Sequence, residues 1–267
     1  MNTFLSYLLP WQHASLIWQF ASRAIHARYR QSWLGTTWAL LTPLLMLAVY
    51  TLVFRNIFQV RWAAVDESNL AFALRLYAGL AIFNFFAECV NRAPGLILAE
   101  PHLVKKVRFP LEVLPWVNLV AALVHLGIAL VMLGVLGAWE QAQLNITLLA
   151  LPLVWLPLVP LVLGLGWWLA AIGTYVRDVD QLVGMALSVL MFLSPVFFPV
   201  EALPPQWQAW VLMNPLAGVM TDTRAVILAG HWPDWGGLAL NFAACTAMAA
   251  GGAAFFQRVR GGFADVV

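Results

Sequence analysis

Apolar blocks free of Asp, Glu, Lys and Arg recur along this chain, separated by short charged or proline-containing breaks. A helix needs about 20 mostly apolar residues to cross the hydrocarbon core of a bilayer. Six blocks read as such spans: 31–54, 70–87, 113–139, 146–173, 181–200 and 235–257. The second contains Arg75, close enough to its outer end for the side chain to snorkel. A further uncharged block, 202–221, is interrupted by Pro204-Pro205 and Asn214-Pro215. Proline removes a backbone N–H and crowds the preceding turn, so this block reads as short external or re-entrant helices. The expected fold is an all-α integral membrane domain over residues 1–267, with six transmembrane helices and no further domain.

Composition agrees. The chain has 63% hydrophobic and 10% charged residues and a mean hydropathy of +0.83, well above a soluble domain. Its net charge of +2 is spread over several loops and forms no basic face, which argues against nucleic acid as a partner. The basic residues mark topology instead, because Lys and Arg accumulate on the cytoplasmic side. With six spans and both termini inside, Arg23, Arg28, Arg30, Arg92, Lys105, Lys106, Arg108, Arg177, Arg258 and Arg260 are cytoplasmic, and Arg55, Arg61, Arg75 and Arg224 are external. A seventh span would strand Arg258 and Arg260 on the far side. Cys89 and Cys245 lie in apolar blocks without CxxC or Cys/His spacing, and read as buried thiols. The first residues lack the charged, apolar and small-residue regions of a signal peptide, so no processing is expected.

The densest cationic cluster, Leu103-Val104-Lys105-Lys106-Val107-Arg108-Phe109-Pro110, sits in the loop 93–110 between two spans. Pro101 and Pro110 bracket it, and it reads as a cytoplasmic segment gripped by a partner. Lys105, Lys106 and Arg108 serve either as docking charges or as anchors to anionic membrane lipid. Ahead of the first span, 11–31 mixes Trp18, Phe20, Ile25 and Tyr29 with Arg23, His26, Arg28 and Arg30, the pattern of a helix lying in the headgroup plane. That helix anchors the chain, or it sets Arg28 and Arg30 against the phosphates of a lipid-borne substrate with Tyr29 beside the headgroup.

No catalytic constellation emerges. The chain has no Walker A sequence, GxSxG, HExxH or Rossmann glycine fingerprint, so it is not expected to hydrolyse ATP or to hold a cofactor or metal of its own. Asp178-Val179-Asp180 has a DxD spacing that can hold a divalent cation against a nucleotide diphosphate. Arg177 can neutralise one carboxylate and the loop is short, so a docking or helix-capping loop is the favoured reading. His125 lies mid-span and reads as a hydrogen-bonded packing residue or a proton relay; Glu88, near the inner end of the second span, is open in the same way.

Arg28-Tyr29-Arg30-Gln31-Ser32-Trp33-Leu34-Gly35, then Trp38 and Pro43, then 103–110 with Leu111-Glu112-Val113-Leu114-Pro115, resembles the membrane subunit of ABC type-2 exporters of polysaccharides. The likeness continues through Arg177-Asp178-Val179, Ser194-Pro195-Val196, Asn214-Pro215-Leu216 and Phe263-Ala264-Asp265-Val266, covering nearly the whole chain in order. It implies a permease of the bacterial inner membrane that exports O-antigen, capsule or teichoic-acid chains on a lipid carrier. Two copies would form the conduit, and a separate ABC ATPase subunit would hold the ATP and magnesium. The segment with Glu100, His102, Leu103, Lys105, Lys106, Arg108 and Phe109 would be the principal coupling helix, with Arg177 and Asp178 as the second contact. Arg28, Tyr29 and Arg30 would meet the substrate headgroup, and Gly35 would permit close helix approach or entry of the carrier. Two positions depart from the family pattern: Glu100-Pro101-His102 replaces a small or Asn-containing approach, and Phe83 stands where Trp is common.

The 14 Trp, 16 Phe and 5 Tyr are unusually many. Most suit interface belts and lipid-facing positions. Trp62, Phe85, Phe86, Phe197 and Phe198 are candidates to line a channel, because ring faces let a sugar polymer slide without fixed hydrogen bonds. Three rival readings stand beside polysaccharide export: an ABC exporter of a small molecule or drug, a membrane glycosyltransferase using Asp178 and Asp180, and an ATP-independent carrier.

Overall fold

The computed structural model of the chain describes residues 10–29, 37–57, 62, 68–105, 109–141 and 145–267. These residues are helical apart from short connections, and no strand occurs among them. The helices are α1 (Ala14–Tyr29), α2 (Trp38–Thr51), α3 (Asn69–Arg92), α4 (Pro101–Lys105), α5 (Leu114–Gln141) and α6 (Leu151–Trp155). They are followed by α7 (Leu158–Tyr175), α8 (Val179–Leu193), α9 (Pro205–Leu212), α10 (Pro215–Arg224), α11 (Trp235–Val259) and α12 (Phe263–Val266).

Four helical stretches are long and apolar enough to cross a membrane: Asn69–Gly95, Leu111–Glu140, Ile146–Tyr175 and Trp235–Val266. Two shorter apolar helices, Leu40–Arg55 and Val179–Leu193, accompany them. The block read as 181–200 stops being helical at Leu193. Pro195 explains this, since the residue before a proline is driven out of the α region, and Ser194 is extended at φ −93°, ψ 150°. The Ser194 hydroxyl donates to the Leu190 carbonyl at 2.7 Å, satisfying one acceptor that the ended helix leaves over.

α3 is the central helix. Phe72, Leu74, Leu76, Ile82, Phe85 and Phe86 are all buried on it, because α5, α7, α8 and α10 pack around it. α7 and α11 form the closest pair, and small residues make that possible. A Cβ on Gly164 would stand 2.8 Å from the Ala249 Cα, and one on Gly252 would collide with the Gly164 carbonyl. Between helices in lipid, such close backbone approach substitutes packing for the hydrophobic effect. α1 lies against the start of α5, with Ile17 and Ala21 buried on Val113 and Val117.

One end of the bundle gathers His13, Phe109–Glu112 and Arg260–Gly261 around a cavity of about 510 Å³, so both described ends of the chain and the segment after Lys105 share it. Glu112 pairs with Arg260 at 3.5 Å, and its carbonyl accepts from the indole of the fully buried Trp167 at 3.1 Å. The Tyr175 hydroxyl donates to the Val259 carbonyl at 2.9 Å. At the opposite end α10 is held by Arg224, 8% exposed, whose guanidinium donates to the carbonyls of Arg75 (2.8 Å), Pro195 (2.7 Å) and Val196 (3.0 Å). Its face also covers the Trp62 ring at 4.3 Å. A Cβ at Gly79 would collide with this guanidinium, so glycine there is a steric requirement.

Two substitutions test this packing. Gly252→Val is expected to push α11 off α7 and cost about 3 kcal/mol, read as a lowered thermal midpoint of the purified protein. Arg224→Leu removes three charge-assisted donors, and should cost about 2–4 kcal/mol together with faster proteolysis within 201–233.

Candidate functional site

Three places on this bundle combine polar chemistry with accessible space. The first is the segment after α3. The helix passes into a tight turn at Ala93–Gly95, where Pro94 fits against Gly173 so closely that a Cβ on Gly173 would lie 2.5 Å from the Pro94 carbonyl oxygen. Two further turns, Ala99 N–H to the Gly95 carbonyl and Glu100 N–H to the Ile97 carbonyl, lead into α4, where Pro101 takes the first position because it needs no hydrogen-bond acceptor there. α4 turns Leu103 inward, where it is buried, and leaves Pro101, His102 and Lys105 exposed. The His102 ring approaches the Glu100 carboxylate at 3.2 Å. Phe109 packs its ring on Phe20 of α1 with centroids 5.4 Å apart, and α12 packs on α4. Lys106 and Arg108 lie outside the described residues.

The second place adjoins the first. A cavity of about 640 Å³ is bounded by α1, the end of α3, the turn after it, α5 and the start of α8. Arg23 and Arg92 line it together with Glu100 and Asp180, a mixed charge set that brings the two loops of the sequence reading to one space. Arg177 and Asp178 stand exposed at its margin in sequence, and Asp178 starts α8 through its carbonyl, which accepts from Leu182 N–H at 3.2 Å. Among the described residues no group of three or more His, Cys, Asp or Glu side chains gathers as a metal site. Arg28 and Tyr29 close α1, their side chains outside the description; Arg30 and Gly35 lie outside the described residues altogether.

The third place is a cleft of about 510 Å³ between α2, α3 and α5. Glu88 and His125 meet there, carboxylate oxygen to Nδ1 at 2.9 Å, with side chains 15% and 21% exposed. A carboxylate inside an apolar helix is tolerated when it is paired, and this pairing connects α3 to α5. Asn118 adds a second connection, its amide donating to the Cys89 carbonyl at 2.8 Å. Asn84, one turn before Glu88, faces the same cleft, as do Trp38, Thr42 and Tyr50 of α2. The sequence reading passed over Asn84, although its spacing of four from Glu88 places both on one helix face.

The five aromatic residues named from the sequence are distributed. Phe85 lines the cleft, while Phe86, 5% exposed, packs inside the core. Phe197, 4% exposed, stacks on Phe54 with centroids 4.3 Å apart and touches Tyr50 and Phe192, forming an aromatic cluster at the Arg224 end. Phe198 is half-buried against the core, and Trp62 lies under Arg224.

Such a bundle, with four helices long and apolar enough to cross a membrane and polar loops gathered at one end, is that of a multi-pass membrane protein. The chain belongs to the ABC-2 type transporter family, whose model matches residues 15–228. It is 29% identical over 227 residues to the O-antigen export system permease protein RfbA of Myxococcus xanthus, covering 84% of each chain. It is 28% identical over 225 residues to the polysialic acid transport protein KpsM of Escherichia coli, covering 83% of this chain and 84% of that one. The capsule polysaccharide export inner-membrane protein CtrC of Neisseria meningitidis serogroup B is 27% identical over 197 residues, 73% of this chain and 72% of its own. These relatives are transport proteins by name, and this chain is likewise a permease and not an enzyme.

The Glu88–His125 pair yields a defined expectation. His125→Phe leaves the Glu88 carboxylate without its imidazole and should destabilise the protein by about 3 kcal/mol, whereas Glu88→Leu with His125→Phe should recover most of that loss. Thermal denaturation of the two singles and the double closes the cycle.

Proposed function

We propose that this chain is the membrane subunit of an ATP-driven exporter that moves a lipid-linked polysaccharide, of O-antigen, capsule or teichoic-acid type, across the bacterial inner membrane. The likeness to polysaccharide-export permeases over four-fifths of the chain carries this reading. The energy comes from a separate ABC ATPase subunit, which holds ATP and magnesium. In this reading the two shorter apolar helices join the four long ones as six spans, both termini and α4 face the cytoplasm, and two copies enclose the path. The asymmetry of Lys and Arg between loops supports that orientation.

Coupling falls to the α4 segment. ATP changes the separation of the paired ATPase subunits, and a short stiff helix docked in each transmits the displacement. Exposed His102 and Lys105, with Lys106 and Arg108, meet the ATPase; Leu103 and Phe109 hold the segment to the bundle; Glu100, Arg177 and Asp178 complete the contact. Arg28, Tyr29 and Arg30 receive the headgroup of the carrier lipid, with Gly35 beside its entry. On the far side, 201–233 closes the exit. Phe85 contributes a wall of the sugar path, and Trp62, Phe86, Phe197 and Phe198 complete or buttress its aromatic lining.

Affinity purification from native membranes in mild detergent, with mass spectrometry and an ATPase assay, tests the assignment. An ATPase in equal copy number, stimulated by a lipid-linked glycan, is the expected result. A solitary chain that transfers sugar with added manganese would overturn it. Within the complex, reversing Lys105 and Lys106 to Glu should leave insertion intact and uncouple ATP hydrolysis from export about tenfold or more; unchanged coupling would remove the docking role.

A further inference from the structure

The cavity of about 640 Å³ beside α1 lies where two membrane-crossing helices end. Arg92 closes α3 there, and α5 lends a wall of Leu114, Val117 and Ala121 from its first turns, a rise of about 10 Å. That is about the depth of a headgroup layer together with the first methylenes beneath it. α1 meets the cavity with Phe20, Arg23, Ala24 and Ala27, the i, i+3, i+4, i+7 stripe of one helix side. Asp180, in the first turn of α8, and Glu100, just ahead of α4, complete the charged part of the wall. Charged groups and an apolar surface within such a depth are the two natures of a phospholipid near its glycerol.

These charges do not close on one another. Arg23, Arg92 and Asp180 are exposed and make no ion pair among the described residues. Glu100 is turned to the His102 ring at 3.2 Å. Arg92 also borders a smaller space with Glu88 and Asn91, so its charge is shared between the two, whereas Arg23 borders this cavity and not that one. Cations and a carboxylate held apart around one space are satisfied together by a ligand that carries both signs, since each then gains a charge-assisted hydrogen bond.

Charge balance narrows the class. A polyanion would bring excess negative charge against Asp180 and Glu100, and a simple cation would meet two arginines. A headgroup with one phosphate and one primary ammonium suits both halves of the set. We propose that this cavity binds an aminophospholipid of the surrounding bilayer, its phosphate accepting from Arg23 and Arg92, its ammonium donating to Asp180, and its glycerol and upper chain lying on Leu114, Val117 and Ala121. The lipid then bridges Arg23 of α1 to Asp180 of α8 and ties the helix ahead of the first span to the loop between α7 and α8. The inference needs only that the bundle sits in a bilayer, and it goes beyond the export reading, which leaves Arg23, Arg92 and Asp180 without a role.

The test uses the full-length chain, co-expressed with its ATPase and purified in mild detergent. It is titrated with an equimolar mixture of dioleoyl-phosphatidylethanolamine and dioleoyl-phosphatidylglycerol, and retained lipid is read by native mass spectrometry. The two probes share their chains and phosphate and differ in the ammonium. Phosphatidylethanolamine is expected to be retained about fivefold over phosphatidylglycerol. Arg23→Gln should weaken its retention about tenfold, the loss of a charged donor. Asp180→Asn should abolish the preference between the two lipids, a change of ratio that a folding defect would not produce. Equal retention by the unaltered chain, a preference for phosphatidylglycerol, undiminished retention in Arg23→Gln, or an unaltered ratio in Asp180→Asn would each overturn the site. The export reading fails separately: a chain that retains phosphatidylethanolamine but supports no surface glycan loses that reading and keeps the site, whereas glycan export with equal retention of the two lipids removes the site alone.

Discussion

Hydrocarbon offers no partner to a polar group, and the arrangement of this bundle follows from where its polar groups find partners instead. Arg224 shows the rule at its strictest. A guanidinium with five donors is brought inside the Arg224 end of the bundle and set on three carbonyls, two from the turn where α8 has just ended and one from α3. The turn needs those donors, because Pro195 has stopped the helix and left carbonyls over. Gly79 supplies the room. One side chain thus joins α3, α8 and α10, and the region beyond α8 is fixed to the central helix and not left to pack by apolar contact alone.

The same rule connects α3 to α5 through Glu88 and His125, and Asn84 departs from it. A paired carboxylate and a carbonyl-bonded Asn118 are ordinary ways of holding two membrane helices together. An exposed amide with no bond among the described residues contributes nothing to that holding. Polar groups kept where they cost stability are where function is expected.

Much of this was readable in one dimension. The blocks at 113–139, 146–173 and 235–257 lie inside helices long enough to cross a membrane, because length and apolarity are local properties. The breaks at Pro204-Pro205 and Asn214-Pro215 coincide with the starts of α9 and α10, since proline acts on its own backbone. The fifth expected span, 181–200, runs through Pro195, whereas α8 ends at Leu193. What the sequence could not show was pairing. Glu88 and His125 each stood out as polar residues in apolar surroundings, but their meeting depends on the antiparallel register of α3 and α5, 37 residues apart in the chain. Arg224 registered only as an external charge, because its burial is made by Gly79 and by a turn far away in sequence. The meeting of Glu100 with Asp180 at one cavity is of the same kind: each lies in a loop whose partner is chosen by how the helix ends converge.

That convergence bears on how a displacement at α4 would spread. A five-residue helix is too short to act as a lever by itself; it needs rigid attachment on more than one side. Leu103 is buried beneath it, Phe109 rests on α1, and α12 packs against it. Behind α4, Pro94 is wedged into α7 at Gly173, and α7 is in turn packed backbone to backbone on α11. A push on α4 would therefore reach α1 and α12 through these contacts, and α7 through the turn at Pro94. Packed cores of this kind shift between discrete arrangements and resist gradual deformation, so motion imposed at this end would be carried along α3. The cleft beside Asn84 and the Arg224 junction both lie on that helix.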